Sequence, residues 1–349
     1  MNLLRHRLFW PAAVLLVLIG VNTAVTPGFL DIRTQDGHLY GSLIDIVRFG
    51  APLILISLGM TLVIATGGID LSVGSVVAIA GALACLRITG QSDQAETLGV
   101  LAAVGVALAL TAVLGAWNGV LVARFGIQPI VATLILMVAG RGVAQLITEG
   151  QIITVNSPPY KLIGGGYWLS LPLSVIIAAG VFALIALLTR RTALGMLLEA
   201  VGGNPTAARL TGVRARGLVI TVYVVCALCA GVAGLMISSN VSAADGNNAG
   251  LWIELDAILA VVIGGTALTG GRFHLTGTVL GALIIQTLAT TIYTVGVPPQ
   301  TTLLFKAVVV MAVCLIQSPR LRARLRGRRA PRTTPATADR TEPSLETPA

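Results

Sequence analysis

The stretch Thr192–Gly212, TALGMLLEAVGGNPTAARLTG, is a polar segment containing four glycines, and it lies between two long apolar runs. Clustered arginines beside apolar spans are typical of the cytoplasmic side of a membrane. The densest basic group inside the chain surrounds this stretch and consists of Arg190, Arg191, Arg209, Arg214 and Arg216. We therefore predict a short cytoplasmic helix here, which a partner outside the bilayer contacts.

The composition is that of a membrane protein. Hydrophobic residues make up 55% of the 349 residues and charged residues only 11%, whereas about a quarter of the residues in a soluble domain are charged. The net charge of +9 does not indicate nucleic-acid binding, because the tail from Arg320 onward contributes five of these charges. The rest of the excess lies in short loops, where membrane topology requires it.

The apolar runs define the predicted architecture. About 20 apolar residues span the hydrocarbon core of a bilayer. An even number of spans puts both termini on one side, and the positive-inside rule makes that side the cytoplasm. We expect an all-α polytopic membrane protein with about ten transmembrane helices and cytoplasmic N and C termini. The spans run roughly over 8–26, 51–67, 71–87, 98–122, 128–147, 172–189, 217–238, 254–268, 275–295 and 301–317.

Two regions are expected. Residues 1–318 form the transmembrane domain, and residues 319–349 form a basic, disordered cytoplasmic tail rich in Pro, Thr and Ala. Arginines next to the last span can contact anionic membrane lipid, although a stop-transfer or solubility role explains them equally well. The sequence contains no G-x-x-x-x-G-K-[ST] phosphate loop, so a pump built on this chain takes its ATPase from another polypeptide.

Several polar groups lie within or beside the spans. Asp70 and Ser72, in GGIDLSVG, could cap the next helix or mark a broken helix that faces a permeation path. Arg141 in a span costs roughly 2.5–3.5 kcal/mol on insertion scales, so it should face the bundle interior or a wet cavity. The candidate substrate path consists of Asp70, Asn118, Gln128, Arg141, Gln145 and Gln286, although each amide singly could instead form a hydrogen bond that holds two helices together.

An acidic and amide-rich group follows the seventh predicted span. It suits a docking partner or a sugar on the outer side, whereas the two acids nearest the next helix are also favourable to its dipole. The candidate binding-protein docking residues are Asp245, Asn247, Asn248, Glu254 and Asp256.

Metal and catalytic chemistry find little support. Cys226 and Cys229 have C-x-x-C spacing, but no His or second Cys pair lies nearby in sequence to complete a zinc site. They are predicted to be small buried hydrophobic residues. The three histidines are widely spaced, which argues against a metal site or an acid–base enzyme. We assign neither catalytic nor metal-binding residues.

Four ordered motifs carry a resemblance to a known family: GGIDLSVGSVVAIAG, QPIVATLILMVAGRG, LGMLLEAVGGNPTAARLTGV and ELDAILAVVIGGTALTGGR. They resemble the permease subunits of ribose-type ABC sugar importers, over nearly the whole chain up to about Ser318. ATGGIDLSVG, ATLILMVAGRGVAQLIT and NNAGLWIELDAILAVVIGG are most similar to the galactofuranose branch of that family. The Gly-Asn-Pro form at 203–205 is that of ribose permeases, which leaves ribose or another small sugar open as substrate.

The resemblance implies a multi-pass protein of the bacterial inner membrane and three partners: a cytoplasmic ABC ATPase, a periplasmic sugar-binding protein and a second permease subunit, homologous or identical. No cofactor belongs to this chain, because the partner ATPase uses the ATP and magnesium. The family's coupling helix falls on about 195–212. The implied ATPase-coupling residues are Glu199, Gly202, Gly203, Asn204, Pro205 and Arg209.

Two other classes fit the sequence less well. A secondary sugar carrier needs an ion-coupling carboxylate deep in the bundle, and the acids of this chain lie at the ends of the predicted spans. An intramembrane enzyme needs a Ser/His or His/acid set at one depth, which the sequence does not provide.

Overall fold

The computed structural model describes residues 8–35 and 37–294, except for the side chains of Gln35 and Tyr293, and six further positions from Gly296 to Met311. Most of the predicted span 301–317 and the whole tail 319–349 lie outside the described residues. The helices are α1 (Phe9–Val25), α2 (Ser42–Ala65), α3 (Val73–Thr89), α4 (Thr97–Ala123), α5 (Pro129–Ile147), α6 (Pro158–Gly165), α7 (Leu173–Arg191), α8 (Leu194–Gly203), α9 (Pro205–Leu210), α10 (Ala215–Val241), α11 (Ile253–Ile263) and α12 (Leu275–Thr294).

Nine of the ten predicted spans coincide with helices. Six of these helices, α2, α4, α5, α7, α10 and α12, are long and apolar enough to cross a membrane. The helices α1 and α3 have 17 residues each, and α11 has only 11. The expected helical, polytopic class therefore agrees with the described residues.

Local sequence signals set several helix boundaries. Proline occupies the first turn of α5, α6 and α9, where its missing N–H costs nothing. Ser157 caps α6 by accepting a hydrogen bond from Tyr160 N over 3.4 Å. The long α10 is followed by Ser242, whose φ of +53° is in the left-handed region. Such residues end a helix by turning the chain away from its axis.

The bundle has two distinct ends. At one end, which we call the docking end, the α8 and α9 helices lie beside the last turn of α2 and the first turn of α10. At the other, the hairpin end, three short antiparallel strand pairs connect the helices: β1 (Arg33–Gln35) with β2 (His38–Tyr40), β3 (Ile152–Thr154) with β6 (Ala243–Asp245), and β4 (Tyr167–Trp168) with β5 (Leu171–Pro172).

The centre of the bundle is formed by α2 and α10, which pack against each other. Their crossing is close because Gly59 has no side chain: a Cβ there would lie 2.8 Å from the Cα of Cys226. At the hairpin end, Arg48 of α2 donates a 2.8 Å hydrogen bond to the side chain of Asn240 on α10. The two central helices are thus joined at more than one level.

The α11 helix corrects the predicted span 254–268. Eleven residues extend about 16 Å, roughly half of the hydrocarbon core of about 30 Å. The helix ends at the docking end, where Gly264 packs against the backbone of Gly277. It must therefore begin inside the bundle, and residues 242–252 cover the distance to the hairpin end with β6 and irregular backbone. The run was overestimated because Gly264 and Gly265 end the helix within it.

The first and last thirds of the described bundle are built alike. α4 packs on α10 as α12 packs on α2; α3 packs on α4 as α11 packs on α12; and α3 packs on α10 as α11 packs on α2. Each helix runs opposite to its counterpart. The sequence repeats as well: Ile69–Ser72 reads IDLS and Ile253–Asp256 reads IELD, while VLGA occurs at 113–116 and at 279–282. The fold thus contains an inverted repeat.

Candidate functional site

The segment 192–212 forms two helices, α8 and α9, where the sequence predicted one. The break falls at Asn204, whose side chain accepts a 3.0 Å hydrogen bond from Ala207 N and so caps α9, with Pro205 in the first turn. Gly203, Asn204, Pro205 and Arg209 are exposed, and Glu199 is half-buried. These residues form a continuous surface at the docking end that a protein partner could contact.

The opposite side of α8 is fixed to the bundle through Gly202. A Cβ at this position would overlap the carbonyl oxygen of Ala65, the last residue of α2, and would lie 2.6 Å from Gly271 N. The hydrophobic residues Leu198 and Val201 are buried on the same side. The predicted coupling residues therefore divide into an exposed group and one glycine at the contact with the membrane helices.

Asp70 and Asn118 belong to a buried polar cluster between α3 and α4. Asp70 Oδ1 accepts hydrogen bonds from Ser72 N over 2.9 Å and from Ser72 Oγ over 2.6 Å. The side-chain amide of Asn118 in turn donates to Ser72 Oγ over 2.9 Å. Neither Asp70 nor Ser72 caps α3 with its side chain, so the predicted capping role is wrong in detail. The carboxylate instead fixes the loop 66–72 that precedes the helix.

The depth of this cluster overturns one argument drawn from the sequence. Asp70 is 1% exposed and Glu254 is 3% exposed, although both lie at the ends of predicted spans. Their helices begin inside the bundle, so a position at the end of a span does not place an acid at the membrane surface. The bundle thus does contain deeply buried carboxyl groups, and the argument from the sequence against a secondary carrier no longer holds.

Arg141 is half-buried on α5 and contacts the irregular segment before α11. Its Nη1 donates to the carbonyl oxygen of Ala249 over 2.6 Å and approaches that of Gly246 at 3.4 Å. Carbonyls of an irregular segment have no helical partners, and leaving them unpaired at this depth is costly. Arg141 thus holds segment 242–252 in place, in agreement with the expectation that it faces the interior.

The predicted outer rim is only partly formed. Asp245 accepts hydrogen bonds from Asn247 N at 2.8 Å, Asn248 N at 3.1 Å and Asn248 Nδ2 at 2.8 Å. Burial raises the pKa of Asp245, but these hydrogen bonds and the nearby Arg141 together lower it by more. The pKa therefore lies below the usual value of an aspartate. Glu254 does not belong to this rim, because its carboxylate lies against Gly74 at the start of α3. Asp256 is half-exposed on α11.

The six candidate path residues do not meet at one site. Arg141 and Gln145 share α5, whose outward face is largely exposed, and Gln128 is exposed at the opposite end of the same helix. Gln286 lies on α12, where it packs against Gly50 of α2. Asp70 and Asn118 are enclosed between helices. The structure thus separates the α5 residues, of which Gln128 and Gln145 are exposed and Arg141 is half-buried, from the buried pair Asp70 and Asn118.

Two features of the site were not predicted. The hydroxyl of Tyr223 on α10 lies beside Gly68 and finds no hydrogen-bond partner among the described residues. The correspondence between Asp70 and Glu254 was also missed, although the repeated IDLS and IELD sequences could have indicated it.

The cysteines at 85, 226 and 229 are buried and free, and Cys314 lies outside the described residues. No group of three or more metal-ligating His, Cys, Asp or Glu side chains is present within the part of the chain described.

Comparison with known proteins identifies the family. The model of a family described as the permease component of the branched-chain amino acid transport system matches residues 42–314. The galactofuranose transporter permease protein YtfT of Escherichia coli K12 is 52% identical over 333 residues, covering 93% of this chain and 95% of the relative. No solved structure matches the chain significantly.

Other relatives carry different sugar names. The fructose import permease protein FruF of Bifidobacterium longum is 40% identical and covers 92% of this chain and 90% of its own length. The ribose import permease protein RbsC of Escherichia coli K12 is 38% identical, with 87% and 91% covered. The helical bundle, the match over residues 42–314 and these full-length relatives agree: the chain belongs to this family of transport-system permeases.

Proposed function

We propose that this chain is the translocation subunit of an ATP-driven importer for a monosaccharide, in the inner membrane of a bacterium. The observation that carries the proposal is the docking end: an exposed α8–α9 surface is joined on its other side to the membrane helices through Gly202. A helix that contacts a motor protein and the bundle at once can transmit a rigid-body movement. Family membership supports the same assignment.

The proposed partners are inferred from the missing phosphate loop and from the surfaces exposed at the two ends of the bundle. The sequence contains no phosphate loop, so a cytoplasmic ABC ATPase is proposed to bind at Glu199, Asn204, Pro205 and Arg209 and to use ATP and magnesium there. A periplasmic sugar-binding protein is proposed to deliver the substrate at the hairpin end, near Asp245 and the two asparagines that follow it. This arrangement places the docking end and both termini in the cytoplasm.

The sugar path is proposed to follow α5 and the segment 242–252. Irregular backbone within a bilayer cannot face lipid, because its polar groups would lack partners; it is tolerated only against protein or water. Asn247, Asn248, Leu251 and Trp252 in this segment are exposed in the single chain. A second permease subunit, homologous or identical, is proposed to cover this face and to enclose a wet path that Arg141 and Gln145 border.

The substrate is proposed to be galactofuranose or a closely related sugar. The support is the relative named as a galactofuranose permease, which is 52% identical over nearly its full length. Permeases named for fructose and ribose are 40% and 38% identical, and the Gly-Asn-Pro form at 203–205 keeps ribose or another small sugar as the alternative.

One experiment separates these possibilities. The permease is co-expressed with an ATPase, a sugar-binding protein and a second permease of the same type of importer, and the complex is reconstituted in proteoliposomes with labelled galactofuranose, ribose and fructose. We expect uptake only with ATP and magnesium on the cytoplasmic side, and the highest rate with galactofuranose. If ribose were transported fastest, the proposed ATP-driven importer would stand, and its proposed substrate would change to ribose.

A secondary sugar carrier remains the second candidate, because Asp70 is a buried carboxyl that makes no ion pair within the described residues. Such a carrier would take up sugar from an ion gradient without the ATPase. Uptake by the permease alone, driven by a proton or sodium gradient in the same vesicles, would overturn the proposed ATP-driven importer.

A further inference from the structure

At Gly202, the contact between α8 and the membrane helices is made by backbone atoms. Gly271 N donates a 2.9 Å hydrogen bond to the carbonyl oxygen of Ala65, which ties the end of α2 to the loop between α11 and α12. Gly202 packs directly on these two groups, since a Cβ there would overlap Ala65 O and lie 2.6 Å from Gly271 N. No side chain larger than hydrogen fits between α8 and this hydrogen bond.

A second glycine contact lies next to the first. Gly270 has a φ of +85°, and a Cβ on it would lie 2.9 Å from Gly67 N and 3.0 Å from the carbonyl oxygen of Gly202. We call Gly67, Gly202, Gly270 and Gly271 the glycine junction. Three segments, the loop 66–72, α8 and the loop 264–274, meet there without intervening side chains. Close-packed atoms with no rotamers to change transmit a displacement rather than absorb it.

The two short helices of the inverted repeat both connect to this junction. The loop 66–72 leads from it to α3, and α11 ends immediately before it. The first turn of α3 touches the segment that leads into α11: a Cβ at Gly74 would lie 2.5 Å from the carbonyl oxygen of Gly250, just before α11. The α11 helix therefore joins the glycine junction at the docking end to segment 242–252 in the other half of the membrane.

We propose that Gly202 is the positioning residue through which movement of α8 displaces α11 as a rigid rod, and that α11 carries this displacement to segment 242–252. The docking helix thereby controls the outer half of the path and not only the half nearest to it. This inference rests on the proposed function, because it assumes that the ATPase moves α8.

The test compares two glycines. In the complete complex reconstituted in proteoliposomes, Gly202→Ala should lower sugar uptake at least about five-fold, at the low end of typical coupling effects, while ATP hydrolysis stays within about two-fold of the original complex. A residue that only stabilised the fold would lower both rates together. The matched control is Gly217→Ala, because Gly217 is exposed at the start of α10 and a Cβ there would have nothing within 4 Å.

The outcomes of this comparison are distinct. A normal ratio of uptake to ATP hydrolysis in Gly202→Ala would overturn the inference and leave the proposed function intact. Absence of ATP-dependent uptake in the unsubstituted complex would instead refute the proposed function. Equal loss of the ratio in Gly217→Ala would show that the effect belongs to any glycine at this end, and would also overturn the inference.

Discussion

At the scale of single residues, glycines bring the helices of this bundle into backbone contact. Gly234 of α10 packs on the carbonyl of Val77, and Gly281 of α12 packs on that of Ala260. The small-x-x-x-small patterns at 115–119 and 277–281 pack in the same way, as expected for membrane helices without large side chains between them. Replacement of such a glycine therefore separates two helices and not merely two side chains.

Gly74 gives the sharpest test of this packing. The methyl group of Gly74→Ala would collide with the carboxylate of Glu254 and lie 2.5 Å from the carbonyl oxygen of Gly250. Overpacking of this kind costs about 1–3 kcal/mol, so the thermal unfolding midpoint of the purified permease should fall. Gly105→Ala is the control, since it points into open space on α4. An unchanged midpoint in Gly74→Ala would show that α3 and α11 do not touch as described.

Arg141 is the second residue whose replacement is informative. Arg141→Leu should reduce uptake far more than Arg141→Lys, because leucine leaves the carbonyls of Gly246 and Ala249 without a donor, at about 1–3 kcal/mol for a buried group. Lysine retains a charged donor. Uptake assays on the complete complex, normalised to the amount of inserted protein, provide the measurement. Normal uptake in the leucine variant would show that Arg141 neither borders the sugar path nor holds segment 242–252 in place.

At the scale of elements, α8 and α9 carry charged residues toward solvent, whereas Asp70, just before α3, and Glu254, in the first turn of α11, are buried. At the docking end, Glu199 is half-buried and Arg209 is exposed. Contacts of partly exposed charges are weak, typically up to about 1 kcal/mol each. The charged and the glycine contacts of α8 should therefore differ in what their loss does to the complex.

Glu199→Gln and Arg209→Gln should reduce ATP-driven uptake while leaving insertion of the permease unchanged. Each charge is proposed to meet the ATPase, so each substitution should also weaken co-purification of the ATPase, by up to about five-fold. This loss of binding separates them from Gly202→Ala, in which the ATPase should remain bound. Full uptake in both variants would place the ATPase contact elsewhere.

The sides of the membrane can be tested on the connecting elements. A cysteine introduced for Asn247 should react with a membrane-impermeant thiol reagent in intact cells, whereas one introduced for Thr206 should react only after the cells are opened. Both residues are exposed in the single chain, so the permease is expressed without its partner subunits to keep either from being covered. The test needs a background without the four native cysteines. The reverse pattern would move α8 away from the cytoplasm and exclude the proposed ATPase contact.

At the scale of the whole molecule, the sequence predicted those features that depend on local composition. Nine helices lie where apolar runs of suitable length occur, and Arg141 turns inward as its insertion cost requires. The burial of Asp70 was missed, because it depends on contacts such as that between Ser72 and Asn118, which lie 46 residues apart in the chain. The half-length of α11 was missed because Gly264 and Gly265 end the helix although the apolar run continues. Both errors concern places where the backbone leaves a regular helix inside the bundle.

The inverted repeat has a consequence for energetics. If the two halves can exchange their conformations, the inward-open and outward-open forms are related by an approximate two-fold axis in the membrane plane. Their free energies then differ only through the sequence differences between the halves. Shifting such an equilibrium from 1:99 to 99:1 requires about 5.5 kcal/mol of differential binding, and less when the two forms start closer to balance. The resting orientation of the transporter would then be set by unequal pairs such as Asp70 and Glu254, or Ser72 and Asp256. Substitutions at the two members of one pair should bias the equilibrium in opposite directions.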